Sequence, residues 1–377
     1  MGATLIHSDD FQKYDYGSSH PLMMIRLKLT CELLKSYGVF GSGKAEMVVA
    51  EPCTREEAET VHTPEYLDVL KSIDEGAHPP NLIKYGLGYG DNPVFEGVYA
   101  GSMLATGGSL QASSVVRKGK TRVSFNIAGG LHHAMPGRAS GFCYINDPAV
   151  AIFDLVKKGL KVAYVDIDAH HGDGVQHVFY ETDRVLTISI HESGHHLFPG
   201  TGFPEDMGTG KGRGYSVNLP LLPGTGDEVF TFGFDELVPP LIEAYKPDVL
   251  VTQLGCDSFV TDPLTHLRFT THGFCHAVKS FKAINRPWVA LGGGGYDVTN
   301  VARAWSLAFA IMADVELPDE LPETYKTLLK ENGLSGEKLR DAEHTRETKE
   351  ELKRERAYVD KALLVIKHAI FPVHRIK

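Results

Sequence analysis

Residues that could bind a metal ion lie at alternate positions near the middle of the chain. Asp166, Asp168 and His170 follow the apolar segment Lys161–Val165, and Gly172 ends the run. Alternate side chains of an extended strand share one face, so the three polar side chains are expected to project together where the strand ends. Sites in parallel α/β sheets form at the carboxyl ends of strands. The sequence therefore predicts a metal site at this point.

A third metal ligand is predicted after another apolar strand. Asp257 follows Val249–Leu254 and, with Asp168 and His170, gives two carboxylates and one imidazole. Three protein ligands with an open fourth position are typical of catalytic zinc. Ferrous iron also accepts mixed oxygen and nitrogen ligands and is the alternative. A metal held in this way can polarise a carbonyl group and acidify a bound water.

Two adjacent histidines follow a further strand. His132 and His133 come directly after Gly129-Gly130-Leu131. The carboxylates of Asp166 and Asp173 are not assigned as metal ligands and could each orient one imidazole. Paired His and Asp residues beside a metal-activated water are the general base and general acid of a hydrolase. Taken alone, two adjacent histidines are more typical of a protein surface.

Aromatic residues on three loops could complete a pocket. Tyr296 follows the glycine run Gly292–Gly295, which fits neither the Gly-x-Gly-x-x-Gly nor the Gly-x-x-x-x-Gly-Lys-Ser/Thr phosphate-binding motif. Glycines permit a turn that would aim the tyrosine hydroxyl at the metal, where it could stabilise an oxyanion. Phe142 and Phe198 could form an apolar slot for an extended methylene chain. A tyrosine packed in the core and ordinary aromatic packing are the alternatives.

The surrounding segments indicate the scaffold. Short apolar runs alternate with helical segments, which predicts an α/β fold: a single open domain with a mostly parallel sheet flanked by helices on both faces. The predicted strands are Thr4–His7, Arg122–Asn126, Val162–Asp166, Val185–Ile190, Tyr215–Leu219, Val249–Leu254 and Val289–Leu291. The predicted helices are Pro148–Lys158, Phe230–Ala244, Thr271–Ile284 and Asn300–Met312. Ala77–Glu96, Gly129–Gly141 and Phe198–Gly214 are predicted to be long functional loops.

Composition changes near the end of the chain. Residues 1–315 are interpreted as the catalytic domain and residues 316–377 as a charged helical extension. An amphipathic helix is predicted over Glu347–Ala369, packed on the domain, and His374–Lys377 is expected to be a solvated tail.

Charge and cysteine usage limit the classes of partner and compartment. The net charge of −10 argues against nucleic-acid binding and mildly favours cationic partners. The most apolar segment, Ala304–Val315, is too short to span a bilayer and predicts a buried helix, so no membrane association is expected. No secretory signal is visible, and the five scattered cysteines favour a reducing, cytoplasmic compartment. The oligomeric state is not predictable from this sequence.

Together these segments resemble the histone deacetylase family of zinc-dependent deacetylases, and especially its prokaryotic acetoin-utilisation members. The similarity runs from His20 to Ala310 in co-linear motifs: His-Pro-Leu-x-x-x-Arg, Gly-Gly-x-His-His-Ala, Gly-Phe-Cys-Tyr-x-Asn-Asp, Asp-x-Asp-x-His-His-Gly-Asp-Gly, Phe-Pro-Gly-Thr-Gly, Gly-x-Asp and Leu-Gly-Gly-Gly-Gly-Tyr. The resemblance implies an arginase/deacetylase-like fold with the active site at the carboxyl ends of the strands.

The resemblance also implies a role for each matching residue. Zinc would be bound by Asp168, His170 and Asp257. His132 would pair with Asp166, and His133 would pair with Asp173 as general base and acid, while Tyr296 would donate to the substrate carbonyl. An acyl-lysine tunnel would be formed by Phe142 and Phe198 with Gly141 and Leu264 at its edges, above an internal cavity containing Arg26. A potassium ion would involve Asp166, Asp168, His170, Ser189 and Ile190.

One segment departs from the family pattern. The rim aspartate of eukaryotic members lies in a Tyr-Asp-Cys-Pro-like segment, whereas this chain has Gly88-Tyr89-Gly90-Asp91-Asn92-Pro93, a shift of one residue. Asp91 is the candidate residue for gripping the substrate backbone.

The resemblance favours hydrolysis of Nε-acetyl-lysine in an acetylated protein or peptide. Deacetylation of acetylated polyamines or another small amide is the alternative, because it uses the same catalytic residues. Two further hypotheses are arginase-like chemistry with a second metal near Asp262, and a metal-stabilised module that binds acetyl-lysine without hydrolysis.

Overall fold

A parallel sheet forms the centre of the protein in this computed structural model, which describes residues 2–17, 19–88, 90–342 and 348–377. Its strands are β1 (Ala3–His7), β2 (Ala45–Val49), β3 (Val123–Asn126), β4 (Val162–Asp166), β5 (Val185–Glu192), β6 (Ser216–Leu221), β7 (Val249–Gln253) and β8 (Trp288–Leu291). Their order across the sheet is β2-β1-β3-β8-β7-β4-β5-β6, and every neighbouring pair is parallel.

Helices cover both faces of the sheet. They are α1 (Ile25–Ser36), α2 (Arg55–Ala58), α3 (Pro64–Asp74), α4 (Val98–Arg117), α5 (Asp147–Lys157), α6 (Asp173–Phe179), α7 (Asp227–Tyr245), α8 (Thr271–Ala283), α9 (Val298–Ala313), α10 (Glu323–Glu331) and α11 (Lys349–Ala369). One layer packs in the order α3-α4-α5-α6, and the other in the order α1-α9-α8-α7-α11. The predicted fold class is therefore confirmed, and burial on both sides explains why the central strands β4, β7 and β8 are largely apolar.

The sheet register aligns the carboxyl ends of its central strands. Asn126 of β3 pairs with Leu291 of β8, and Leu291 pairs with Gln253 of β7. Gln253 in turn pairs with Asp166 of β4, and Asp166 pairs with Ser189 of β5. The segments that follow these residues leave the sheet along one edge. Residues from distant parts of the sequence can therefore meet there.

Several elements were not predicted from the sequence. The edge strand β2 was missed because its five residues are partly or fully exposed and its apolar run, Met47–Val49, is only three residues long. The helix α4 was missed because its sequence is rich in glycine and serine, which are poor helix formers. Packing of α4 against α5 and β3 stabilises it in spite of that composition.

The segment after residue 315 packs on the rest of the protein. Buried side chains of α10 and α11, including Tyr325, Leu329 and Ile366, belong to the main hydrophobic cluster. Glu347, the predicted start of the last helix, lies outside the described residues. Within them, a capping box at Thr348 precedes α11. The division at residue 315 stays a prediction.

The expected solvated tail at the chain end is partly wrong. The His374 imidazole Nε2 lies 2.8 Å from the Gly214 carbonyl, and its ring packs against Tyr215 with centroids 4.9 Å apart. Of this segment, Arg375 and Lys377 are exposed, whereas His374 and Ile376 are partly buried. An aromatic surface on the domain accepts the imidazole, which composition alone does not indicate.

The predicted buried helix over Ala304–Val315 corresponds to the end of α9, whose residues are mostly buried. Within the described residues, none of the helices has both the length and the apolar character needed to cross a membrane.

Candidate metal-dependent active site

Three predicted metal ligands lie together at the carboxyl edge of the sheet. Asp168 and His170 follow β4, and Asp257 follows the neighbouring strand β7. The His170 Nδ1 atom lies 3.1 Å from the Asp168 Oδ1 atom and 2.9 Å from the Asp257 Oδ2 atom. All three residues are buried, and one ligand atom from each lies within 4.8 Å of the others. Two carboxylate oxygens and one imidazole nitrogen fit a divalent transition metal.

The electrostatics of this group favour a bound cation. Burial opposes the charge of the His170 imidazole, but Asp257 and Asp168 outweigh burial and raise its pKa well above the usual value. Burial and the Asp168 charge raise the pKa of Asp257 to about 6. A proton on His170 therefore compensates two buried carboxylates that lie close together. A divalent cation would provide the same compensation and release that proton.

Backbone and amide donors hold the carboxylates in place. The Asp168 Oδ2 atom accepts hydrogen bonds from the Gln253 side chain at 2.6 Å and from the Gly294 backbone at 2.8 Å. The Asp257 Oδ1 atom accepts from the Ala169 backbone at 2.8 Å. Sequence reasoning missed Gln253, although a polar residue at the end of the apolar strand β7 was a usable signal. These donors leave little freedom to the two carboxylates.

The paired histidines lie beside this group. His132 Nδ1 is 2.7 Å from Asp166 Oδ2, and His133 Nδ1 is 2.7 Å from Asp173 Oδ1. The two Nε2 atoms, which face away from these carboxylates, are 3.1 Å apart. Both imidazoles therefore point their Nε2 atoms at the same region. The pairs His132–Asp166 and His133–Asp173 are those that the family resemblance implies.

The two imidazoles differ in protonation. Burial disfavours the charged form of His132, but the Asp166 and Asp168 carboxylates outweigh burial and raise its pKa to about 9. Burial and the neighbouring His132 charge lower the pKa of His133 to about 4, against the opposing effect of Asp173. At neutral pH the two imidazoles therefore carry a single positive charge, which lies on the protonated His132. His133 is neutral and can accept a proton.

A buried polar network under the histidine loop was not predicted. Asp147 accepts hydrogen bonds from the backbone amides of Gly130 at 3.0 Å and Leu131 at 2.8 Å. The Asn146 side chain donates to the carbonyls of His132 at 3.1 Å and Ala134 at 2.9 Å. The Asn-Asp pair occurs in one of the family motifs, which was the available signal. The hydrogen bonds of Asn146 and Asp147 fix the backbone that carries both histidines.

Tyr296 reaches the site through the glycine turn after β8. Gly293 and Gly295 adopt φ values of 142° and 133°, which favour glycine. The Tyr296 ring packs edge-on against Phe142 with centroids 5.6 Å apart. Burial and the Asp257 charge raise the pKa of the tyrosine hydroxyl well above its usual value. Tyr296 therefore remains a proton donor at physiological pH.

Asp262 does not join the metal group. Its Oδ1 atom accepts from the Leu264 amide at 2.9 Å, and its Oδ2 atom accepts from the Tyr296 amide at 2.8 Å. Both oxygens therefore serve the backbone rather than a second metal. Among the described residues, a single group has the spacing of a metal site, which argues against the arginase-like hypothesis.

A cleft connects the metal group with the surface. Its lining includes His133, Asp168, His170, Phe142 and Tyr296. Phe142 has a φ of 67°, a strained backbone conformation for a residue with a side chain.

Phe198 lies on another loop, outside the residues that line the cleft but in contact with one of them, His133. The Phe198 ring is 42% exposed and packs against the His133 ring with centroids 5.0 Å apart. A Cβ atom at Gly141 would lie 2.5 Å from the His133 ring and 2.8 Å from the Phe198 ring, so only glycine fits between them. Leu264 is 37% exposed beyond the lining of the cleft.

Arg26 lies at the inner end of the cleft. It lines both this cleft and an adjacent internal cavity, which also includes Tyr14, Tyr16 and Met24. The Arg26 guanidinium donates to the Gly295 carbonyl at 3.0 Å. This is the position that the resemblance implies for Arg26.

Asp91 and two residues of the predicted potassium site, Ser189 and Ile190, are not part of the metal group. Asp91 is exposed and does not line the cleft. The Asp91 carbonyl lies 3.2 Å from the His20 ring, which packs against Phe142 with centroids 4.5 Å apart. Ser189 and Ile190 are buried in β5, next to the strand that carries Asp166.

Comparison with known proteins agrees with this fold. The sequence profile described as "Histone deacetylase domain" matches residues 20–312. The chain therefore belongs to the histone deacetylase family.

Solved structures extend the similarity to nearly the whole chain. An HDAC homolog from Aquifex aeolicus has a TM-score of 0.88 and 36% identity, covering 96% of this chain and 100% of that chain. The crystal structure of an HDAC homolog complexed with SAHA shows the same similarity, with a TM-score of 0.88.

Curated relatives are longer than this chain. Histone deacetylase 1 of Homo sapiens is 40% identical over 322 residues, and the match covers 84% of this chain but only 65% of that protein. Histone deacetylase RPD3 of Saccharomyces cerevisiae is 38% identical over 320 residues, covering 83% of this chain and 72% of that protein. The part of human histone deacetylase 1 that matches this chain is thus slightly less than two thirds of that protein's length.

Proposed function

We propose that this protein hydrolyses Nε-acetyl-lysine in proteins or peptides, releasing acetate and the free lysine side chain. The observation that carries the proposal is the buried group of Asp168, His170 and Asp257 directly beside two His–Asp pairs. Family membership supports the same reaction, since relatives at 38–40% identity are named histone deacetylases.

Asp168, His170 and Asp257 would hold the metal, and Zn²⁺ is proposed because it suits two carboxylates and one imidazole. Fe²⁺ accepts the same ligands and is the second choice. When bound, the metal would polarise the amide carbonyl and lower the pKa of a water molecule.

The protein's own groups would then move the protons. His133 would accept a proton from the attacking water at Nε2, because its Nδ1 atom is engaged with Asp173. The same nitrogen would return the proton to the departing lysine amine. His132, oriented by Asp166, would hold a positive charge next to His133. That charge would favour transfer of the proton from His133 to the amine. Tyr296 would donate to the carbonyl oxygen as negative charge develops there.

The walls of the cleft would bind the acyl-lysine chain. Phe142 and Phe198 would pack on its methylene groups, with Gly141 and Leu264 at the edges. Arg26 would attract the acetate product into the internal cavity. This role is supported by its buried Nε atom, which has no hydrogen-bond partner among the described residues.

Further parts of the proposal rest on the family resemblance. Asp91 would hold the substrate backbone at the rim. A potassium ion would stabilise the carboxyl ends of β4 and β5 through Asp166, Asp168, His170, Ser189 and Ile190. Membership of the acetoin-utilisation subgroup and a cytoplasmic location, consistent with five free cysteines, belong to the same proposal.

Side-by-side kinetics would test the substrate class. Acetate release from an acetyl-lysine peptide and from N-acetylspermidine is measured with zinc-loaded protein. The exposed apolar side chains of Phe198 and Leu264 favour a neutral peptide segment over a polycation, so kcat/KM should be higher for the peptide. A higher value for the polyamine would support the alternative substrate. Peptide binding without acetate release would contradict hydrolysis.

A further inference from the structure

A buried glutamate at the end of β5 contacts two segments of the active site. Glu192 is 1% exposed, and its carboxylate lies 2.8 Å from both the backbone nitrogen and the ring Nδ1 atom of His266. The Glu192 amide donates to the carbonyl of Ala169 at 2.9 Å, between the metal-binding residues Asp168 and His170. The proposed mechanism uses neither Glu192 nor His266.

The following residue, Ser193, organises the turn that leads to Phe198. Its amide donates to the Leu221 carbonyl at 2.8 Å, which fixes it to β6. Its carbonyl accepts from the amides of His196 at 2.8 Å and Leu197 at 3.1 Å. Phe198 comes directly after this turn and packs on His133. The position of this tunnel wall therefore depends on the placement of Ser193.

The C-terminal helix reaches the same serine. The Tyr358 hydroxyl of α11 donates to the Ser193 Oγ atom at 3.0 Å. Ser193 is fully buried, and Tyr358 is half-buried. Since α11 also packs against β6 and α7, the hydrogen bond joins the turn to a firmly packed helix.

Glu192 holds the loop that carries Leu264, at the edge of the proposed tunnel. His266 is two residues beyond Leu264, so its bonds to Glu192 hold one end of the Leu264 loop. Asp262 accepts from the Leu264 amide and holds the other end. The His266 side chain is 62% exposed, whereas its Glu192 partner is buried. The pair thus ties a surface loop to the core.

We infer that Glu192 and Ser193 are positioning residues that set the width of the tunnel, and that α11 is part of its frame through Tyr358. This inference rests on the proposed function, because the tunnel is the proposed acyl-lysine site. The contacts of Tyr358 and His266 do not include the metal ligands, His133 or Tyr296. The effect is therefore on binding of the acyl-lysine chain, and KM changes rather than kcat.

Hydrogen–deuterium exchange tests the structural part without any substrate. Tyr358→Phe removes the donor to Ser193, and exchange of the His196 and Leu197 amides should become about three- to tenfold faster. The matched control is Tyr37→Phe, which removes a hydroxyl bonded to the Pro318 and Glu320 carbonyls far from the tunnel. The control should leave exchange in the turn unchanged. Equal exchange in wild type and Tyr358→Phe would overturn the role of α11.

A second variant tests the Leu264 loop. His266→Ala removes the imidazole from Glu192, and amides of residues 264–267 should exchange about three- to tenfold faster. His276→Ala is the control, since it removes another exposed imidazole paired with a carboxylate, Asp235, at 2.8 Å. Unchanged exchange around Leu264 in His266→Ala would overturn the role of Glu192.

Kinetics complete the test. With an acetyl-lysine peptide, Tyr358→Phe and His266→Ala should raise KM about three- to tenfold and keep kcat within about twofold. Faster exchange with an unchanged KM would overturn the role in tunnel width, as would an equal loss of kcat. If the wild type releases no acetate, the proposed function fails, and the exchange experiments still decide whether Glu192 and Ser193 hold the two loops.

Discussion

Acid should destabilise the protein through His62, which is buried beneath the loop that carries the paired histidines. His62 is 1% exposed, and its Nε2 atom accepts a hydrogen bond from the backbone amide of Asn146 at 2.9 Å. Asn146 in turn donates to the carbonyls of His132 and Ala134. Protonation of His62 at Nε2 would remove the acceptor and bury a charge at this position.

The pKa of His62 gives the size and sign of the effect. Burial lowers this pKa from 6.5 to about 4 in the folded protein. Between these values the unfolded chain binds a proton that the folded protein does not bind. The stability from this residue is therefore present above pH 6.5 and is lost as pH falls toward 4. The free energy of unfolding is therefore lower by about 2 kcal/mol at pH 5 than at pH 7. Each pH unit between the two pKa values contributes about 1.4 kcal/mol.

Urea unfolding at pH 7 and pH 5 measures this loss. Tryptophan fluorescence reports on the core, because Trp288 and Trp305 are both buried. Chelator-treated protein is used so that metal binding does not contribute. His62→Gln keeps an oxygen acceptor for Asn146 but does not titrate. The stability advantage of wild type over His62→Gln should shrink by about 2 kcal/mol from pH 7 to pH 5.

The matched control is Tyr66→Phe. Tyr66 packs against His62 with ring centroids 5.7 Å apart and donates to the Tyr144 carbonyl at 2.8 Å, so its variant is also destabilised in this region. It keeps His62 and should therefore keep the wild-type dependence of stability on pH. Parallel pH curves for wild type and His62→Gln would refute the reasoning.

Three substitutions test the site more directly. Tyr296→Phe should lower kcat by about 10²- to 10³-fold with zinc content unchanged, and an unaltered kcat would contradict its role as oxyanion donor. Gly294→Ala should weaken zinc affinity by at least about tenfold in a chelator competition assay, since the added Cβ would collide with the Asp257 carboxylate. Wild-type affinity would show that this carboxylate is free to move. Asp91→Asn should raise KM for a peptide about three- to tenfold and leave free acetyl-lysine unaffected, and equal effects on both substrates would exclude a backbone contact.

The central part of the fold was predictable because burial on both faces imposes apolar runs. Strands β4, β5 and β7 are fully buried and rich in apolar residues, and polar residues at or directly after their ends mark the edge where the site lies. The close approach of Asp168, His170 and Asp257 follows from the neighbouring positions of β4 and β7. Their roles stay predictions until metal and activity are measured.

Other features depend on tertiary contacts that leave no local pattern. Gln253 and Asp147 act through hydrogen bonds to backbone that is distant in the sequence. The strand β2 is exposed at the sheet edge and lacks apolar periodicity. The link from Tyr358 to Ser193 spans 165 positions. Such pairs become visible only when the chain is folded.

Zinc binding to metal-free protein tests the central claim most directly. Chelator-stripped wild type, His170→Ala and Asp257→Asn are titrated with Zn²⁺ in competition with a chromophoric chelator, and the exposed-site variant Asp68→Asn serves as the control. Wild type and the control should bind one ion per chain tightly, and both ligand variants should lose more than about 100-fold in affinity. Unchanged affinity in His170→Ala and Asp257→Asn, or two tightly bound ions in wild type, would contradict the proposed site.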